Sequence, residues 1–383
     1  MTETLNPVSK ELDWANIIDS IEAEKCVLFL GSGFYQIAPE QSFENALAEW
    51  LGVEQKDHPS IQVYNDDDGF FLFREERSHK RNVTRQIKSF YNQAFPAMDA
   101  RLAQLAKIPF HLIVSLVPDN ILARKFDELG LPYQPDFYFR KRPHSKVFEK
   151  PSHHKPMIYN LMGNIEAPDS IVLTHSDFFD YLESVFNGNS MHPELREELE
   201  SAERYIFLGL PYEKWYFQLL LRVLSVHSEK LRGVVRTALE KLSNNKLETL
   251  YKEEFKINFH PNQPEVFVQN LYGACGEAGL LKTLPPPDPA LAKLEERSPE
   301  EIKELIALAQ LEQAFLYLQV YLDRRKPQSH ALINELLVLR NRYHLLRQRE
   351  NRGTIDEKDL RIEYNQISEL SLALVDKAAG LGK

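Results

Sequence analysis

A Rossmann-like α/β fold, with a parallel sheet covered by helices on both faces and a small all-α carboxy-terminal domain after it, is predicted by three observations on this 383-residue chain. The apolar run Cys26–Val27–Leu28–Phe29–Leu30 ends in Gly31–Ser32–Gly33 and leads into a helical pattern. Similar short runs recur at wide spacing. A proline-rich stretch then gives way to a long segment almost free of glycine and proline.

Taken in order, residues 8–24 predict an amphipathic helix, with Leu12, Ile17, Ile18 and Ile21 on one side and acidic residues between them. Cys26–Leu30 lacks polar alternation, as a strand buried on both faces of a parallel sheet should. Phe43, Leu47, Trp50 and Leu51 carry the next helical pattern. The runs Pro109–Ser115, Met157–Leu161, Ser170–Leu173 and Tyr205–Gly209 read as further strands, and helical patterns separate most of them, as in a doubly wound sheet. Asn65–Asp66–Asp67–Asp68–Gly69 predicts a turn. Tyr133–Pro156 is rich in Pro, His, Lys and Arg, and its basic part, residues 140–155, reads as a solvated loop in preference to a polyanion contact. Lys214–Trp215–Tyr216–Phe217, ahead of Leu219–Leu221, reads as a helix packing an apolar stripe with Trp215 in the core, or else as a stacking platform.

Leu284–Pro285–Pro286–Pro287–Asp288–Pro289 cannot continue a helix or a central strand and predicts a stiff linker. Ser298 before Pro299, with Glu300 and Glu301 next, is a helix start. Helical spacing then recurs in Ile302, Leu305, Ile306 and Ala309; in Leu332, Leu336, Leu339, Tyr343 and Leu346; and in Ile362, Ile367, Leu370 and Leu374. The expected organisation is an α/β domain over residues 1–284, a linker over 285–298 and a helical domain over 299–379.

Hydrophobic residues make up 43% and charged residues 27% of the chain, the balance of an ordinary globular protein. A net charge of −10 argues against nucleic acid as a partner held through its phosphates. Two cysteines, Cys26 and Cys275, are too few for a disulfide scaffold or a cysteine zinc site, so a reducing, cytoplasmic location is expected. The only close histidine pair, His153–His154, has no cysteine or carboxylate cluster nearby, and no metal is expected. Met1–Trp14 has no apolar core of a signal peptide, and no run approaches ~18 apolar residues, so no membrane association is expected.

Glycines after a buried strand let backbone approach a pyrophosphate at the next helix's amino terminus. Gly31 and Gly33 fit the first two positions of such a loop; the third glycine is missing, and Tyr35 and Gln36 stand where small residues are usual. Alone, the turn reads equally as a nucleotide cradle or as a tight ligand-free connection.

In sequence order, LFLGSGFYQ, LIVSLVPDNIL, IYNLMGNI, DSIVLTHSDFFDYL and YIFLGLPYEKWYFQLLLRVL resemble the landmarks of the bacterial sirtuin-like family, over roughly residues 10–283. That resemblance implies a site for NAD or an ADP-ribose-type nucleotide, with Gly31, Ser32, Gly33, Phe34, Asp119, Gly163 and Gly209 around it. It also implies that catalysis is lost. Met162 stands where the family has its general-base histidine, Val117 where it has the asparagine that positions the ribose and water, and Pro211 where a serine contacts nucleotide. Asn120 and His175 are the candidate substitutes; His111, His153 and His154 also lie near motifs in sequence. The tail resembles the effector-associated helical domains of bacterial defence and conflict systems, which implies a protein partner carrying a matching domain, or self-assembly. A simple helical extension that dimerises the chain or covers its sheet is the other reading of the tail.

The leading expectation is a degenerate sirtuin-like protein of an anti-phage system that senses a nucleotide or serves as a scaffold or adaptor. An active NAD glycohydrolase that depletes NAD is the alternative. A third is a platform that binds no nucleotide.

Overall fold

The computed structural model describes residues 12–38, 41–55, 57–74, 76–139, 148–186, 191–223, 233–261, 263–283, 294–325, 329–351 and 356–380. The chain divides into two units, Met1–Ala123 with Pro132–Lys282, and Arg124–Leu131 with Thr283–Lys383.

From the amino terminus, α1 (Trp14–Glu22) leads into β1 (Cys26–Leu30), α2 (Phe43–Leu51), a hairpin of β2 (Ile61–Asn65) and β3 (Phe70–Phe73), α3 (Glu76–Tyr91), α4 (Pro96–Lys107) and β4 (Leu112–Ser115). Then come α5 (Ile121–Glu128), β5 (Gln134–Phe137), β6 (Met157–Asn160), α6 (His175–Phe186), α7 (Pro193–Glu200), β7 (Arg204–Leu208), α8 (Phe217–Val223), β8 (Val235–Ala238), α9 (Asn245–Glu254), β9 (Ile257–Phe259) and α10 (Pro264–Glu277).

Seven of these strands form one sheet in the order β5–β6–β4–β1–β7–β8–β9, every pairing parallel. All five β1 side chains are buried, which is why the sequence there is an unbroken apolar run. The chain leaves β1 towards β4 on one side and later returns to β7 on the other, so the connections diverge at β1. Ligands of open α/β sheets bind beyond the strands' carboxyl ends at such a switch point.

Helix starts follow local chemistry. Asp13 caps α1, Asn244 caps α9, and at α6 the Thr174 hydroxyl accepts from the Asp177 amide while the Asp177 carboxylate accepts from the Leu173 and Thr174 amides. Cys26 in β1 and Cys275 in α10 are buried free thiols.

Several expectations need correction. Ser170–Leu173 joins no sheet: a 3-10 turn, Pro168–Ser170, precedes an extended segment whose Val172 amide donates to Met162 O and whose Leu173 O accepts from the Phe71 amide. Those residues are apolar because they are covered. Five strands escaped the pattern reading. β5 is half-buried, contains Pro135 and lies at an edge, where a missing N–H is tolerated. β8 carries polar Arg236 and Thr237, β9 has only three residues, and the β2–β3 hairpin flanks the predicted acidic turn. Trp215 is not core: α8 begins only at Phe217, and the indole is 45% exposed.

In the second unit, Pro299 follows Ser298, which forms a capping box with Glu301 and starts α11 (Pro299–Ala307). It is followed by α12 (Leu311–Asp323), α13 (His330–Asn351) and α14 (Glu357–Gly380). Ile302, Leu305 and Ile306 meet Leu311, Phe315, Leu318 and Leu322, with Leu336 and Leu346 from α13, in one core. From α14 that core takes Ile367, Leu374, Val375 and Ala378, a helical stripe; the predicted members Ile362 and Leu370 are exposed, as is Ala309. The proline-rich stretch at 284–289, basic residues 140–147, residues 8–11 of the first predicted helix and the break at 352–355 lie outside the described residues.

Candidate functional site

At the carboxyl ends of β1 and β7 the chain touches itself through backbone. The Gly31 amide donates to Leu208 O at 2.9 Å and the Gly33 amide to Gly209 O at 3.0 Å. A Cβ on Gly31 would lie 2.1 Å from the Gly209 carbonyl oxygen, and one on Gly209, where φ is +64°, would lie 2.0 Å from the Phe34 nitrogen. The glycines of the turn are thus required by close backbone approach inside the fold. Gly163 has a similar reason, since a Cβ there would lie 2.2 Å from Ser170 O.

Beside this seam lies a cavity of about 120 Å³, walled by Ser32, Phe43 and Glu44; by Leu116, Val117 and Pro118 after β4; by Met162 after β6; by Pro211, Tyr216 and Leu220; and by Tyr64, Asp68, Gly69, Phe70 and Phe71 of the hairpin. The fold therefore brings Ser32, Val117 and Met162 together, with Val117 and Met162 each only 7% exposed. A thioether and an isopropyl group face the space that the resemblance assigns to a base and an amide.

The other predicted residues stand around it. Phe34 is buried beneath the Arg101 guanidinium. Asp119 accepts from the Ile121 amide at 2.6 Å, at the start of α5, and its carboxylate meets the hydroxyl of Tyr35, which also bonds Ser115. The Asn160 amide nitrogen donates to Val117 O and Asp119 O, at 3.3 and 2.7 Å, which fixes the loop after β4. Asn120 donates to Glu166 Oε1 at 3.1 Å, and neither it nor His175 lines the cavity. Instead the His175 Nε2 lies 2.9 Å from Asp68 Oδ2 in the hairpin turn. His111 is buried at the other end of the sheet, where β4 begins, and desolvation holds its imidazole down to about 4.

Sequence reasoning missed the charged residues of the cavity. Glu44, in the first turn of α2, accepts from the Ser32 hydroxyl at 2.6 Å through Oε1, and its Oε2 lies 3.3 Å from Lys214 Nζ. Asp68 is 5% exposed and accepts from four donors. Burial, with Glu44, Asp66 and Asp68 nearby, pushes the Tyr64 hydroxyl up to about 12, so it remains a proton donor at neutral pH. At the end of β8, burial pushes Glu240 up to about 8 while the Leu210 amide donates to it at 3.3 Å. For Glu44 and Asp68 the only sequence signal was an acidic residue on a helix or in a turn.

A larger groove, about 610 Å³, opens between α3 and α6 and is lined by Lys80, Thr84, Asp169, Asp177, Asp180 and Tyr181. Its closest ion pair, Lys80–Asp177 at 2.5 Å, involves the same Asp177 that caps α6. Among the described residues, no group of three or more His, Cys, Asp or Glu side chains is placed to hold a metal, and no helix is long and apolar enough to cross a membrane.

No curated protein matches this chain. Residues 118–259 match the family model of a SIR2-like domain, a stretch that begins after β4 and so leaves the glycine turn outside the match. Residues 297–378 match that of Effector-associated domain 11, which takes in the four helices α11–α14 almost whole. The chain is thus a fusion in which a SIR2-like region is followed by effector-associated domain 11, as the landmarks and the tail pattern lead one to expect.

Proposed function

We propose that this protein is a component of a conflict or defence system whose SIR2-like unit binds an NAD- or ADP-ribose-type nucleotide without cleaving it, and whose helical unit assembles it with a partner carrying a matching domain. The pairing of the two matched domains supports the systemic role. The observation that carries the loss of cleavage is Met162 beside Val117 on the cavity wall. Breaking the glycosidic bond requires a group to take a ribose proton and groups to hold the developing oxocarbenium charge. Neither side chain can accept a proton at neutral pH, and among the described residues no histidine lines the cavity.

Purified protein incubated with NAD, alone and with the products of neighbouring genes, is expected to release no nicotinamide, while calorimetry with ADP-ribose is expected to show binding. Sustained nicotinamide release by the wild type would overturn the reading. Absence of heat with both nucleotides, in the wild type and in a variant whose β2–β3 hairpin is loosened, would leave a scaffold without a ligand.

One observation favours the alternative of an active glycohydrolase. The Glu44 carboxylate, held by Ser32 and Lys214 at the cavity edge, could stabilise positive charge on a ribose. If nicotinamide is released, Glu44→Gln should abolish it; turnover that survives this change removes Glu44 from the reaction. For assembly, light scattering on the full chain and on a chain ending before Ser298 should give different numbers of chains per particle if the helical unit joins copies to one another.

A further inference from the structure

We propose that the β2–β3 hairpin is a plug, latched through Asp68, that closes the strand-end crevice to a nucleotide until the latch is released. The inference rests on the reading of that crevice as a nucleotide site.

The hairpin contributes a quarter of the cavity's lining residues, and what it leaves is about 120 Å³. Sites for ligands of drug or cofactor size run to ~300–1,000 Å³. A dinucleotide therefore does not fit beside Phe70 and Phe71 as they stand. Phe70 is inserted among Phe178, Tyr216 and His175, with ring centroids 5.6, 5.3 and 4.9 Å away.

Among the described residues, few polar bonds hold the hairpin in place, and they are concentrated. Within the hairpin, Asp68 accepts from the Asn65 side chain at 2.9 Å and the Phe70 amide at 3.2 Å, which sets the turn. Towards the rest of the unit it accepts from His175 at 2.9 Å and Trp215 Nε1 at 3.3 Å. Lys214 adds a bond to Asp66 O at 3.0 Å, and the Phe71 amide adds one to Leu173 O at 2.8 Å. A buried carboxylate that spends its oxygens on donors from three elements makes the position cooperative, because losing the outside donors leaves a desolvated charge under-compensated. The outer face carries the cross-strand pair Val63 and Leu72, both about half exposed, so nothing described covers the hairpin from above.

His175 and Trp215 are both substantially exposed and neither lines the cavity, so neither change removes a side chain that a ligand there would touch. If a closed state dominates, apparent affinity is lowered by the fraction of open molecules, and weakening the latch recovers it.

The experiment uses the full-length chain as wild type, as the His175→Ala/Trp215→Phe double variant and as Asp68→Asn. Hydrogen exchange at the Phe70 and Phe71 amides reports the latch without ligand; calorimetry with ADP-ribose and with NAD reports access. Faster exchange at those amides together with nucleotide binding tightened by about tenfold or more in the double variant is the expected result. Faster exchange with affinity equal to that of a binding wild type would overturn the plug while leaving the nucleotide site standing. Faster exchange with no binding by any form would overturn the nucleotide reading and the plug with it. Unchanged exchange in the double variant would show that the latch is elsewhere, and the proposal would fail even if Asp68→Asn does not fold.

Discussion

On one side of the strand-end crevice the chain meets itself backbone to backbone; on the other it meets itself side chain to side chain. The seam between Gly31, Gly33 and Gly209 has no side chains at all, and the amides that could face a phosphate are partly engaged across it. On the cavity lining, Phe70, Met162, Val117 and Tyr216 form a wall made of side chains, and the hairpin that carries Phe70 is joined by a handful of polar bonds. Backbone contacts of this kind have one geometry. Side-chain contacts have several within a few kcal/mol of one another, which is what a gate or a sensor needs. The difference teaches that a glycine-rich turn at a strand end is evidence about packing before it is evidence about a ligand.

The largest effect should come from breaking the seam. Gly209→Ala places a methyl 2.0 Å from the Phe34 nitrogen at a positive φ. We expect loss of more than ~4 kcal/mol, seen as a collapsed urea midpoint or insoluble protein. A variant of near wild-type stability would show that the seam can open, and would move the gate there. On the opposite wall, Phe70→Ala should cost ~3–5 kcal/mol if the hairpin stays in place around the hole. A much smaller loss means that the hairpin relaxes or leaves, the behaviour of a mobile wall; urea midpoints read both.

The same contrast decides what was legible in the sequence. β1, β4, β6 and β7 announce themselves because strands covered on both faces are apolar along their middles, with Ser115, Asn160 and Arg204 only at strand ends, and the seam glycines mark the turns that leave β1 and β7. β5, β8 and β9 were hidden: an edge strand with Pro135, a strand with Arg236 and Thr237, and a three-residue strand are defined by their ladders, which leave little trace in hydrophobicity. Met162 and Val117 could be placed at one site because landmarks in order fix which strand ends they follow. Glu44 and Asp68 could not, since nothing local distinguishes an acidic residue that faces solvent from one that meets Ser32, or His175 and Trp215, across the fold. Trp215 was misread for the same reason: an aromatic residue in an apolar stretch looks like core until the helix start two residues later turns it outward.

A third prediction tests how dry the rim beside the seam is. Burial raises Glu240 to about 8 from an ordinary value of 4.5. A carboxyl whose folded value is raised stabilises the fold fully below its unfolded value, and that contribution is lost as pH rises through the folded one. Between about pH 4.5 and 8 the wild type should therefore weaken relative to Glu240→Gln, which carries no charge to bury. The gap in favour of the variant should widen by ~1 kcal/mol or more between pH 6 and 9, a tenfold change in proton affinity being worth ~1.4 kcal/mol. Urea titrations at the two values measure it. A difference that does not depend on pH would mean that water reaches the carboxylate and that this rim is open.

The smallest effect is the one that sharpens the comparison most. Trp215→Phe keeps a large ring but removes the indole N–H that reaches Asp68 at 3.3 Å. The side chain is 45% exposed, so global stability should fall by less than ~1 kcal/mol. Local stability should not be spared in the same way: the bond ties the hairpin to the chain leading into α8, and its loss should speed exchange at the Phe70 and Phe71 amides while leaving the amides of Gly31 and Gly33 unchanged. Equal acceleration on both sides would mean that the crevice opens as a single unit, and the distinction between a fixed backbone wall and a movable side-chain wall would be lost.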